Sequence, residues 1–448
     1  MAQIAPFRGL RYNLSKISDL SSVVIPPYDV ISPAEQQAFH AASPHNMIRI
    51  ELGESTSLDN DRDNPHTRAA QYLRQWQESG ILLRDPKPAL YYYELDYSLP
   101  SMPPQTRCGF ICALRLEDFS SGGVKPHERT FQAVKDERLR LMMTCHANLS
   151  PIFALYSDPG ETVHRALKQG VQSVPAMKFR DRTGMEHRLW PVDHRDILQH
   201  VSHLMQDKAI FIADGHHRYE TALTYRGIQR VQAGSIREKA PYEYVMMYLS
   251  NLNQGGLTIL PTHRLLRNLD AIKPDVFLQS VDAFFDVMPY GASESGVGAW
   301  REGLRSCGER KETIFGFAHR SGSPLYLLKA KTHPVRDYLE SVGVPEVLRT
   351  LDVVVLDHVL LRRVMGLSES FLANENNIHF KQDLVEALTQ VQGGTYDAGF
   401  FINGTRIEQV QEVANAGLIM PHKATYFYPK VGSGLVINPL PADEEMVW

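Results

Sequence analysis

The sequence predicts a mixed α/β chain, an α+β arrangement of more than one packed unit. Three observations lead there. Its 448 residues exceed a single ordinary core, because domains run to roughly 150 residues each. Apolar residues make up 43% and charged residues 22%, the balance of a globular protein, which excludes disordered and fibrous classes. Strand-type runs also alternate with capped amphipathic segments along the whole chain, without internal repeats or low-complexity tracts.

Val23 to Ile31 (VVIPPYDVI) reads as a β-type run broken at Pro26-Pro27. Ser32-Pro33-Ala34-Glu35 is a helix start, with serine at the cap and proline in the first turn. Asn64-Pro65 opens a second helix that carries Ala69, Leu73 and Trp76 on one face and stops at Gly80. Leu90 to Tyr97 and Thr106 to Leu116 are strands joined by a proline-rich turn. A Ser/Gly-rich loop from Asp118 to Glu128 leads into a helix from about Thr130 to Cys145, and Pro151 to Tyr156 is the next strand. A helix, a β pair (Ala176 to Phe179, His187 to Pro191) and a second helix fill Val163 to Gln206. Lys208 to Ala213 is a buried-type strand running into Asp214-Gly215 and a helix from His216 to about Gln232; Glu243 to Leu249 is again strand. Beyond residue 266 come an amphipathic helix (Pro274 to Phe285), a Gly/Ser-rich stretch, strands at Thr313 to His319 and Leu325 to Lys329, and further helices. The tail holds a strand at Asp397 to Ile402, a helix at Ile407 to Ala416 and the run Met420 to Leu435.

Lys plus Arg number 47 and Asp plus Glu 51, for a net charge of −4. This argues against a protein that coats nucleic acid or an anionic membrane, since those partners need a basic stripe. Four cysteines, Cys108, Cys112, Cys145 and Cys307, are too few and too irregular for a disulfide framework; Cys108 and Cys112 share a strand face as a buried pair. No stretch approaches the ~20 apolar residues of a membrane span, and a reducing cytoplasm is the expected location. Eighteen histidines form a surplus.

Three constellations could carry chemistry. In IFIADGHHRYETALTYR (210–226) a strand end, a glycine turn and a helix start follow in immediate succession. The helix N-terminus then aims unpaired N–H groups and its positive dipole end above the strand, an arrangement suited to an anion. Gly215 would let a phosphate approach the backbone, while His216, His217 and Arg218 add donors. Asp214 could orient a hydroxyl or hold a metal ion, or simply cap the helix. In VKPHERTFQAVKDERLRLMM (124–143), at about 100° per residue, Val134, Leu139 and Met142 fall on the side of Phe131. Lys135 and Arg138 fall there too. Two cations on an inward face line an anion pocket or form buried salt bridges. His127 and Glu128 stand just upstream, Glu128 as general base or as part of the helix cap. In Pro421 to Lys430, strand alternation puts Lys423 and Thr425 on one side, suited to a phosphate or carboxylate, or makes an aromatic edge strand. His422 adjoins them. Arg8-Gly9-Leu10-Arg11-Tyr12 with Pro26-Pro27-Tyr28-Asp29 reads most simply as a polyproline turn, the alternative being that it lines a site.

These motifs resemble one known family. Pro-Phe-Arg-Gly-Leu-Arg-Tyr from Pro6, Pro-Pro-Tyr-Asp-Val-Ile from Pro26, Pro-His-Glu-Arg-Thr from Pro126, Ala-Asp-Gly-His-His-Arg-Tyr-Glu-Thr-Ala from Ala213 and Lys-Ala-Thr-Tyr-Phe-Tyr-Pro-Lys from Lys423 resemble a bacterial and archaeal domain-of-unknown-function family described as Spo0J/ParB-like. The His-His-Arg turn is also distantly similar to the ParB/sulfiredoxin superfamily, which includes nucleotide-dependent free serine kinases. That likeness implies a nucleotide-binding core in which Asp214, Gly215, His216, His217 and Arg218 cradle phosphates and Glu128 is the catalytic carboxylate. Sulfiredoxin has a catalytic cysteine where this chain has His216, which removes a redox role. Partition proteins carry a helix-turn-helix, and no such basic helix pair is present.

The reading that follows is a phosphotransferase using ATP or ADP with Mg²⁺ on the hydroxyl of a small carboxylate such as serine. Asp214, His217, Arg218 and Glu128 would be catalytic, with Asp214 also the metal ligand. Gly215, His216, Lys423 and Thr425 would join the phosphate site, and His127, Lys135 and Arg138 would bind substrate. The alternatives are a nucleotide-binding switch without turnover and a metal-dependent phosphoesterase using His127, His216, His217 and Asp214. The expected domains are a core at 1–265, a lobe at 266–375 and a C-terminal segment at 376–448 that packs back on the core, with a homodimer as a further expected partner.

Overall fold

The longest apolar runs of the first half of the chain meet in one mixed sheet. The structure, a computed structural model, describes residues 2–100, 102–126, 130–269, 274–322, 324–374, 376–421 and 423–446. It has two units, residues 1–257 with 429–448, and residues 258–428. The lobe expected at 266–375 lies within the second. Of the segment expected at 376–448, residues 429–448 belong to the first unit and the rest to the second.

In the first unit the strands of the main sheet are β1 (Ile4–Ala5), β2 (Leu90–Tyr97), β3 (Gln105–Arg115), β4 (Val124–Lys125), β5 (Ile152–Tyr156), β6 (Met177–Arg180), β7 (Glu186–Val192), β8 (Ile210–Asp214) and β9 (Tyr244–Asn251). They lie in the order β4-β8-β5-β9-β3-β2-β7-β6, with β1 added beside β3. The pairs β4/β8 and β5/β9 are parallel and the others antiparallel. All eight residues of β9 are buried, as a strand covered on both faces requires. The helices of this unit include α1 (Ile48–Glu51), α2 (Pro65–Glu78), α3 (Gln132–Cys145), α4 (Thr162–Lys168), α5 (Arg195–Met205) and the longer α6 (His216–Ala233). Asn64 caps α2 through the amides of His66 and Thr67, and the helix buries Ala69, Leu73 and Trp76, the face its spacing predicts. Helices α3 and α6 pack on each other. The tail is strapped to this unit: Asn438–Pro439 pairs with Ala147–Asn148, and single bridges join Ile437 to Leu10 and Ser433 to Ile25.

The second unit holds an antiparallel sheet of β10 (His263–Leu266), β11 (Phe285–Tyr290), β12 (Ile314–His319), β13 (Leu325–Ala330), β14 (Ile378–Lys381) and β15 (Ala398–Phe401), in the order β11-β13-β12-β15-β10-β14. Its core gathers Leu265, Trp300, Leu304 and Phe401.

Some expected elements change. The run Val23 to Ile31 is not a strand; it makes one bridge at Ile25 and a 3-10 turn at Tyr28–Val30, because Pro26 and Pro27 have no N–H for a ladder. Phe131, taken as the origin of the α3 apolar face, is 54% exposed, since the helix begins only at Gln132. Met420 to Leu435 keeps only Tyr426–Tyr428 as a strand, and the helix from Pro274 ends at Val281. All four cysteines are free thiols, and no described helix is long and apolar enough to cross a membrane.

Candidate anion site at the end of strand β8

The chain turns abruptly where β8 meets α6. The pairing of β8 with β5 shifts register between Ile212 and Asp214, and such a bulge re-aims the residue at the strand end. Gly215 follows with φ 96°, a left-handed conformation that favours glycine. A Cβ there would lie 2.9 Å from the Arg218 guanidinium. Glycine therefore makes room for Arg218 to fold back over the turn, where the sequence reading had placed a phosphate.

Arg218 is the hub of the site. Its Nη2 donates to Asp214 Oδ2 (2.7 Å), and Nη1 donates to Pro151 O (2.6 Å) and Ser150 Oγ (3.1 Å). The other Asp214 oxygen takes Lys430 Nζ at 2.7 Å, and Lys430 also donates to Asp29. Burial alone would raise the Asp214 carboxyl; Lys430 and then Arg218 outweigh it and hold the group well below the usual carboxylate range. Burial likewise works to lower the Lys430 ammonium, yet Asp214 and Asp29 keep it above its ordinary value.

On the far side of Ser150 the alternation of charge continues. Ser150 Oγ donates to Glu51 Oε1 at 3.0 Å. Arg138 Nη1 donates to Glu51 O (3.0 Å) and stands 3.5 Å from Glu51 Oε1. Arg138 also holds Glu137, with Nη2 to Oε1 at 2.6 Å, and lies 4.2 Å over the Tyr28 ring. Glu137 accepts from His66 at 3.2 Å. Burial pushes the Glu51 carboxyl up despite Arg138 and Arg218. For Glu137, burial is outweighed by His66 and Arg138, and the carboxyl falls to about 2. A cavity of about 40 Å³ lies beside this chain of charges, lined by Glu51, Arg138, Ser150, Arg218 and Thr221 among others. That is room for a few water-sized groups.

The predicted residues are thus placed as follows. Asp214, Gly215, Arg218 and Arg138 share one network. His216 is buried at the first position of α6. His217 Nε2 accepts the Phe131 N–H at 2.9 Å, so the ring's own proton sits on Nδ1 and the side chain is a neutral imidazole rather than a cation. Lys135 leaves the network and pairs with Glu220 at 2.7 Å, which also takes the Thr130 hydroxyl. Lys423 and Thr425 belong to the second unit, where Lys423 O accepts from Arg264. His127, Glu128 and His422 lie outside the described residues. Among the described residues no group of three or more His, Cys, Asp or Glu is arranged to hold a metal ion.

Glu51, Lys430, Asp29 and Ser150 were missed as site residues. Tyr28-Asp29 and Lys430 stand inside motifs already noted, and that was the available signal. Nothing local marks Glu51 or Ser150.

A family model described as protein of unknown function (DUF1015) matches residues 4–354. The chain belongs to the DUF1015 family. The matched part of this DUF1015 chain holds Asp29, Glu51, Arg138 and the Asp214 turn, while Lys430 comes from the tail beyond it. No curated protein matches the sequence. The chain is similar to a conserved hypothetical protein from Pyrococcus furiosus (12% identity, 69% of this chain and 90% of that one, TM-score 0.30). It is also similar to a free serine kinase variant in complex with ADP (12%, 74% and 90%, 0.32) and to SbnI with a C-terminal truncation from Staphylococcus aureus (10%, 75% and 90%, 0.33). At TM-scores this low the likenesses carry no structural argument.

Proposed function

We propose that the turn between β8 and α6 binds the phosphates of ATP or ADP, and that the protein is a nucleotide-dependent phosphotransferase acting on the hydroxyl of a small carboxylate such as serine or another hydroxy acid. One observation carries this reading. Three cations, Arg138, Arg218 and Lys430, are gathered within one hydrogen-bonded network at a strand end, against the N-terminus of an 18-residue helix. Phosphoryl transfer asks little of a protein beyond positioning and fixed positive charge, and this set supplies both. The ParB/sulfiredoxin-like form of the core belongs to the same proposal.

The roles divide by chemistry. Arg218, His217 and the α6 amides face the phosphates. Asp214, with a cation on each oxygen, positions Arg218 and Lys430 and is a poor proton acceptor. Glu128 takes the hydroxyl proton, and Arg138, by exchanging Glu137, holds the substrate's carboxylate together with His127. A Mg²⁺ ion on Asp214 would have to displace Lys430 or Arg218, so the donor set does not fit the ion there and no step is routed through it.

A second reading has its own support. Each of these cations already holds a carboxylate, so an arriving phosphate exchanges partners with Asp214 or Glu51. Such an exchange suits a nucleotide-operated switch. The experiment that separates the two is the Glu128→Gln variant of the full chain, assayed for ADP and ATP consumption with Mg²⁺ across hydroxy acids and amino acids. A kinase loses turnover and keeps nucleotide affinity. A switch shows binding alone, before and after the change.

A further inference from the structure

Three residues that line the cavity beside Arg218 carry polar atoms left without a hydrogen-bond partner. Glu51 Oε2, Arg218 Nε and Thr221 Oγ1 are buried and have no hydrogen-bond partner among the described residues. Glu51 and Thr221 are 2% and 1% exposed. Buried groups of this kind are costly unless something pairs with them, and all three side chains line the same cavity. They comprise one anionic acceptor, one cationic N–H donor and one hydroxyl. The protein already joins the neighbouring atoms of the same two residues with a hydroxyl: Ser150 Oγ donates to Glu51 Oε1 and accepts from Arg218 Nη1.

We propose that this cavity is a binding site for the hydroxyl end of a small neutral alcohol. Charge decides against the other ligand classes. A carboxylate would suit Arg218 but be repelled by Glu51, and an ammonium would suit Glu51 but be repelled by Arg138 and Arg218. Arg138 also pairs with Glu137 and Arg218 with Asp214, so the charges around the cavity stand in matched pairs. A hydroxyl both donates and accepts and meets the set as it stands. Apart from Asn148 the remaining wall is apolar, with Leu141, Met142, Ile152 and Val245 among its residues, and suits the carbon atoms of an alcohol better than a cluster of water. At about 40 Å³ the space takes an end-group of this size. The inference rests on the cavity alone and not on nucleotide chemistry.

Four probes of similar size test it on the full chain by ligand-observed NMR titration: 2-propanol, acetone, acetate and isopropylammonium. The proposal expects 2-propanol to bind at least tenfold more tightly than the other three. Glu51→Gln should weaken it about tenfold. Thr221→Val, which keeps side-chain shape and carries the test if the glutamine variant does not fold, should weaken it several-fold. Equal binding of all four probes, preference for acetone or either ion, or an alcohol that fails to displace water at millimolar concentration would overturn the assignment.

Discussion

Both units bury arginine, and they do so by opposite means. In the first, Arg138 is surrounded by carboxylates; burial works to lower its pKa, and Glu137 and Glu51 more than reverse the effect. In the second, Arg264 is buried with no carboxylate in contact among the described residues. It donates to Thr262 O and Lys423 O and lies 5.2 Å from the Phe380 ring. Burial dominates there and brings its pKa down to about 10, against a weaker pull from Asp357. Carbonyl oxygens and a ring can hold a single cation as part of a scaffold. Alternating acids and bases do something different: they keep several charges close together and leave individual atoms, such as Glu51 Oε2 and Arg218 Nε, available to a ligand.

Substitutions can break this contrast, beginning with the largest effect. Arg138→Met leaves Glu51 buried and uncompensated, and should cost about 3–5 kcal/mol in urea unfolding of the first unit. Lys430→Met removes charged hydrogen bonds from Asp214 and Asp29 and should cost about 2–3 kcal/mol. Arg264→Met strands two carbonyl groups but no charge, so a loss of about 1–2 kcal/mol is expected in the second unit. Lys135→Met breaks a half-buried pair with Glu220 and should cost less than about 1 kcal/mol. An Arg264 loss as large as that of Arg138 would erase the distinction.

The pH dependence sharpens the comparison further. Glu137 is depressed to about 2, so its stabilisation is present above the unfolded value near 4.5 and is lost as pH falls from there through about 2. Asp352 in the second unit has the opposite sign. Burial, against Thr313 and Arg406, raises it to about 6, so this group's contribution falls as pH rises from about 4 through about 6. Unfolding monitored between pH 4 and 7 should show the slope in the second unit, and Asp352→Asn should flatten it.

The elements were legible where sequence pattern and local chemistry agreed. Asn64-Pro65 with Ala69, Leu73 and Trp76 predicted a helix and its buried face, and Leu90 to Tyr97 is a strand over the predicted span. The turn at Gly215 was legible too, because a strand, a glycine and a helix start adjoin there. The partners of that turn were not. Glu51 lies 163 residues before Asp214 and Lys430 216 residues after it, and only the fold brings them to Arg218 and Asp214. Arg138 and Lys135 looked alike on the α3 face, yet one joined the network and the other met Glu220, since one faces α1 and the other α6.

The central claim is that the β8–α6 turn transfers a phosphoryl group from a nucleotide. The most direct measurement is ³¹P NMR of the purified full chain with Mg²⁺, ATP or ADP, and a panel of serine and other hydroxy acids. The account predicts a phosphomonoester signal growing as nucleotide is consumed, absent in Glu128→Gln, which still binds nucleotide. No consumption of either nucleotide across the panel, by protein that a nucleotide at ~100 times its Kd stabilises by about 2.7 kcal/mol, would contradict it and leave the switch.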